Sequence, residues 1–233
     1  MNIGSPFSGQ VRPPERGNVC PGCHSEIPLD DINVAKDIAL CRACGKTWTF
    51  SLVQSAGELG EVNLQQPPRW VQIETDYQGG TTIRYRRRSK ALFFLIPFAA
   101  LWSGGSMVGI YGSQIRQGKF DLGQSLFGLP FLIGTIILCS AIAFLLFGHW
   151  EINLRRGEGT VFLGVGSLGW RRSFAFGPGA QVSLQQSSYQ VNHVPQDAIA
   201  VTEAGQKLIS FGAPIQPREA KLFIAAAMSR AMG

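Results

Sequence analysis

The sequence predicts a multi-domain membrane protein: a small four-cysteine module, a two-helix transmembrane hairpin, and an antiparallel β domain ending in a C-terminal α-helix. Three observations carry that reading. Four of the five cysteines fall in two Cys-x-x-Cys pairs, Cys20/Cys23 and Cys41/Cys44. Residues 91–112 and 126–148 form two long apolar runs without a charged side chain. From Trp150 onward, short β-rich runs alternate with turn residues until an apolar stripe at helical spacing closes the chain.

The two pairs are separated by 17 residues, inside the window that reads as a four-thiolate metal site. Each pair bends the chain so that two sulfurs point the same way, and a tetrahedral cation closes both bends into one unit. Pro21 stiffens the first bend. Gly45 follows the last cysteine, where a positive φ is often needed. Trp48, Phe50 and Leu52 alternate and are expected to form a small strand on the metal. With sulfur in all four positions no site remains for a catalytic water, so Cys20, Cys23, Cys41 and Cys44 are expected to hold a structural Zn2+, with iron left open. Over roughly residues 18–54 the arrangement resembles the zinc-ribbon superfamily, a scaffold whose members bind nucleic acid, proteins or nothing known. Cys20-Pro21-Gly22-Cys23-His24 also matches the c-type haem attachment motif. Haem attachment would leave Cys41 and Cys44 unexplained and needs an extracytoplasmic location.

Each apolar run is long enough to cross a ~30 Å hydrocarbon core as a helix, and neither shows the polar stripe of a soluble helix. Pro97 and Gly104-Gly105 are tolerated in a membrane span. Tyr111 and Trp150 sit near span ends, where interfacial rings are favoured. Arg84, Arg86, Arg87, Arg88 and Lys90 precede the first span, and Arg155 and Arg156 follow the second. The loop 113–125 holds only Arg116 and Lys119, beside Asp121. The positive-inside bias therefore places both termini in the cytoplasm and the loop outside. Residues 1–17 lack the apolar segment of a signal peptide and read as a disordered tail. The cysteines are then expected in the reducing cytoplasm, available to metal. No ionisable side chain lies inside either run, which argues against an ion or proton pathway. Cys139 reads as a small apolar filler, and Gly105 and Gly109 as a small-xxx-small pair that seats the second helix or another copy of the chain, a homo-oligomer.

A formal charge of +6 raises nucleic acid as a partner. Much of the excess is juxtamembrane, so topology and anionic membrane lipids explain it first. Within the cysteine module Glu26, Asp30, Asp31 and Asp37 stand against Lys36, Arg42 and Lys46, without a basic stripe. That argues against DNA or RNA.

Residues 55–69, rich in Gly, Gln and Pro, read as a linker. Val71, Ile73, Thr75 and Tyr77 alternate before Gln78-Gly79-Gly80, and Ile83 and Tyr85 resume the pattern, so 70–90 is expected to hold a juxtamembrane β-hairpin. Such a hairpin is marginal alone and is expected to dock on the C-terminal sheet. In 149–233, strands are expected at 150–154, 160–165, 169–176, 181–186, 198–202 and 207–211, with a polar loop around Asn192, His193 and Pro195. Pro217 suits the first turn of a helix whose stripe is Ala220, Phe223, Ile224, Ala227, Met228 and Ala231. Six strands and a closing helix make a small barrel or bent sheet. The element order over 150–232 resembles the pleckstrin-homology-like folds of bacterial membrane proteins. On the run Asp31–Cys41 the chain resembles uncharacterised bacterial two-span membrane proteins with an N-terminal zinc ribbon, which implies the plasma (inner) membrane and brings no known activity with it.

No catalytic set is visible. His24, His149 and His193 lie in different regions, and Gly157-x-Gly159 and Gly164-x-Gly166 lack the lysine and helix start of a phosphate loop. The expectation is a membrane-anchored cytoplasmic binding or scaffold protein contacting lipid and a protein partner. The alternatives are a membrane-bound regulator touching nucleic acid or transcription machinery, and a thiol redox sensor.

Overall fold

A computed structural model describes residues 18–119 and 121–233; the stretch 1–17, read above as a disordered tail, lies outside the described residues. In chain order come β1 (Ile32–Asn33), β2 (Ile38–Leu40), β3 (Thr47–Trp48), α1 (Phe50–Gly60), β4 (Val71–Thr75) and β5 (Thr81–Tyr85). Helix α2 (Leu92–Met107) runs through a π-helical turn (Val108–Gly112) into α3 (Ser113–Gln117), and α4 (Leu122–Phe147) follows. The remainder is β6 (Gly148–Arg155), β7 (Glu158–Val165), β8 (Leu168–Ala175), β9 (Gln181–Val191), β10 (Val194–Glu203), β11 (Gln206–Phe211) and α5 (Arg218–Met232). The described residues divide into two compact units, one of 18–68 with 174–233, the other of 69–173.

In the second unit, β4 to β8 form an antiparallel sheet in sequence order. The hairpin expected to dock does so: Ile83 pairs with Ile73 on one side and Ile152 on the other, and Ile152 pairs with Val161. Ile83 and Ile152 are fully buried. On the other face Arg84 bonds Glu151 at 2.9 Å, and Asn153 donates to Glu151 at 2.9 Å. These two partners, the asparagine first, hold the Glu151 carboxyl below its usual range. The Asp76 carboxylate accepts from the Gly80 and Gln78 amides at 2.7 and 2.8 Å, which fixes the β4–β5 turn.

The segments 92–117 and 122–147 are long and apolar enough to cross a membrane. Both outrun the expected spans, and the connection shrinks to 118–121. Gly118, at φ +60, ends α3, and the Asp121 side chain caps α4 by accepting from the Gln124 amide. Gly105 and Gly109 face open space, so they do not seat α4. The close approach is at buried Gly128, where a Cβ would collide with Tyr111 and Ile110 of the π-turn.

In the first unit, β11-β10-β9 form a separate antiparallel sheet, with Ile199 between Leu184 and Phe211. The six strands expected in one domain over 149–233 are thus hydrogen-bonded in two sheets. The polar loop at Asn192 and His193 is a tight turn with both residues at positive φ (52° and 63°), so β9 and β10 run longer than their apolar cores. Helix α5 buries the expected stripe except Ala231, with Met232 in its place. It also buries Lys221, Ala225 and Ala226, because β9 and α1 both pack on it.

Candidate metal centre

Two matching turns present the cysteines. In the first, the Cys20 amide donates to Ser25 O (2.8 Å) and the His24 amide to Cys20 O (3.0 Å). In the second, Cys41 donates to Lys46 O (3.0 Å) and Gly45 to Cys41 O (2.8 Å). The fifth position of each turn is left-handed, at φ 58° for His24 and 68° for Gly45, as the sequence anticipated for the glycine. Gly22 is required for a reason that sequence reading missed: a Cβ there would lie 2.8 Å from the Trp48 ring.

All four sulfurs lie within 4.8 Å of one another, with Cys20–Cys44 at 3.8 Å and Cys23–Cys41 at 3.6 Å. A tetrahedron with metal–sulfur bonds of ~2.3 Å has edges of about 3.8 Å. The cage therefore fits a tetrahedral ion, and the four cysteines could hold one. It uses Cys41 and Cys44, which a haem attachment would leave out. Among the described residues the group consists of these four cysteines, and His24, His149, His193 and Cys139 are not members of it.

Without metal, the thiols differ. Hydrogen bonds from the Ser25 side chain and then its amide lower exposed Cys23 to about 6. At Cys41 the Cys44 amide pulls the other way, but burial and the neighbouring thiols push the group up to about 11. Binding a cation requires all four as thiolates and so expels protons.

Around the cage, Cys20, Ile27, Ala39, Cys41 and Val53 form one buried cluster, with Ile32, Cys44 and Trp48 packed against it. Val53 belongs to α1, not to a strand. The alternation of Trp48, Phe50 and Leu52 gives way to a helix because Asp37 caps it from a distance. Asp37 lies at φ 51°, its carbonyl accepts from Phe50 N at 3.2 Å, and its carboxylate accepts from Ser51 N at 2.9 Å. The segment read as a linker from residue 55 is thus helical to Gly60. Its Ser55 hydroxyl, buried, donates to Ser51 O and to Leu184 O of β9 at 2.8 and 3.2 Å. Glu58 bonds Arg218 of α5 at 2.7 Å. Between these elements lies a polar cavity of about 420 Å³, lined by Gln54, Gln185, Gln186 and Asp197 among others.

What fold and cluster define is a chain with an all-sulfur candidate metal centre and two helices long and apolar enough to span a bilayer. No protein-family model matches the chain, and no curated protein matches it.

Proposed function

We propose that this chain is a membrane-anchored binding or scaffold protein of the bacterial inner membrane, with a structural zinc ion at Cys20, Cys23, Cys41 and Cys44. The observation that carries the reading is the cage itself. Four thiolates fill a tetrahedral ion, so the metal's work is to hold shape, and the shape it holds includes α1. Soft thiolates in tetrahedral array favour zinc, with iron as the competitor that metal analysis resolves. The membrane part of the reading is supported by α2 and α4, whose apolar side chains are largely exposed, Phe93 at 91 % and Leu101 at 79 %. The arginine-rich flanks orient both termini to the cytoplasm. The order of strands and closing helix after the second span supports a pleckstrin-homology-like bent sheet or small barrel.

On this reading α1, β9 and α5 present a platform to a cytoplasmic protein. The test is purification of the full chain from membranes, with metal analysis and identification of co-purified protein. One zinc per chain and a partner lost with Cys44→Ser support it. A chain free of metal, with a partner indifferent to Cys44→Ser, overturns it. The exposure of Cys23 at the edge of the cage favours one other reading, a thiol redox sensor. That protein would release zinc and form disulfides under mild oxidant, whereas a structural site resists.

A further inference from the structure

Strand register brings one end of the five-stranded sheet to the ends of the two long helices. Strand β6 starts at Gly148, directly after the last residue of α4. Gly148 pairs with Val165, and Trp150 pairs with both Leu163 and Tyr85. Arg86, the next residue, donates from its amide to Trp70 O at 3.0 Å and from its side chain to Leu146 O of α4 at 3.1 Å. A Cβ on Gly164 would collide with Leu168 O, and one on Gly169 with Leu163 O, so Gly164 and Gly169 are neighbours across β7 and β8. The β7–β8 turn, with Gly166 at φ +59, therefore lies level with the end of α4.

This rim has a distinctive chemistry. At one edge the Arg69 and Arg87 guanidiniums both lie over the Trp70 ring, at 4.8 and 5.2 Å from its centroid. At the other edge, Leu168 and Trp170 are each 80 % exposed on a terminal strand, followed by exposed Arg171 and Arg172. A large apolar pair on an open sheet edge is a liability in water. At a membrane interface the same residues are favoured: tryptophan settles among headgroups, and arginine lays its stem on apolar surface while its guanidinium meets phosphate.

We infer that this rim is immersed in the headgroup layer of the bilayer spanned by α2 and α4. Leu168 and Trp170 enter the acyl boundary, and Arg171 and Arg172 bind anionic phospholipid. The inference rests on the reading of those helices as spans. Position selects lipid over a soluble acidic partner, because the turn stands at the height where α4 leaves the apolar layer. Each cation near an anionic surface contributes a preference of roughly fivefold, equivalent to ~1 kcal/mol.

The test uses the full chain in nanodiscs of phosphatidylcholine with one-third phosphatidylglycerol, carrying bromine near the top of the acyl chains. The emission of Trp170 is taken as the difference between the native chain and Trp170→Phe, a substitution at an exposed site. Strong quenching by the shallow bromines is expected. Arg171→Gln with Arg172→Gln should lower the enrichment of phosphatidylglycerol over phosphatidylcholine in lipid retained by the purified chain, by roughly 25-fold. Red-shifted, unquenched difference emission means a rim in water and overturns the inference. Blue-shifted, unquenched emission means cover by protein, such as a second copy, and also overturns it. So does unchanged lipid enrichment. Trp102, inside α2, separates the two readings. Its quenching by deeply brominated lipid survives failure of the rim proposal and disappears only if α2 does not span.

Discussion

Replacing Phe223 by alanine tests the role of α5 most directly. The side chain is 2 % exposed, with Ile224 and Met228 fully buried beside it, and the helix packs on β9 and α1. Withdrawing such a ring from apolar surroundings forfeits about 1.5–3 kcal/mol of transfer energy. The cavity left behind raises the loss to roughly 3–5 kcal/mol. Against a domain stability of about 5–15 kcal/mol, that is a large fraction. The midpoint of thermal unfolding should fall by roughly 10–20 °C. A fragment of residues 150–233 is the wrong sample, because α1 supplies part of the surface that α5 covers. The assay is hydrogen exchange across a temperature series on the full chain in micelles, followed in peptides from α1, β9 and α5. All three should lose protection together, at a lower temperature than in the native chain. Unchanged protection would refute the reasoning.

Three further outcomes are expected. The chain should bind one zinc, and Cys44→Ser should abolish binding and speed exchange in α1 while α2 and α4 stay embedded, as metal analysis and alkaline extraction of membranes will show. Reporters fused at either terminus should read as cytoplasmic and one near Gly118 as external; an external C-terminus overturns the hairpin topology. Lys221 is 2 % exposed, and its ammonium donates to the carbonyls of Asp197 and Ala213. Burial lowers its pKa, with the nearby Asp197 charge acting in opposition. The unfolded chain therefore holds the extra proton between the depressed folded value and the unfolded one of 10.5. Stability should rise with pH through that window relative to Lys221→Met, and a flat difference between the two denaturation series counts against it.

What was legible in the sequence was whatever a short window encodes. Cysteine spacing, two uncharged apolar runs, a Gly-Gly turn between alternating strands and the period of α5 each depend on neighbours in the chain. Helix α1 was not legible. Its segment is rich in Gly, Ser and Gln, its first turn is capped by Asp37 from another loop, and it is stabilised by burying Val53 against the cysteines and Ser55 against β9. The division of the strands after α4 between two sheets was hidden for the same kind of reason, since β-turn rhythm counts strands without saying which edges meet. Glycine roles divided likewise. Gly45 follows from its place after a cysteine, whereas Gly22 and Gly128 are fixed by Trp48 and Tyr111, which only the fold brings near.

The pairing of β5 with β6 has a consequence for how the chain is made. These strands are neighbours in one sheet, yet the whole of residues 86–147 is synthesised between them. At ~5–20 residues per second, β5 waits roughly 3–12 s for its partner. Throughout that interval the β4–β5 hairpin stands alone, marginal in water, with Ile83 uncovered. On the proposed reading of α2 and α4 as membrane spans, their insertion is the event that delivers β6 to the waiting edge, and sheet assembly is timed by the insertion machinery. Variants that slow insertion should aggregate through the orphaned hairpin even when every residue of the finished sheet is intact.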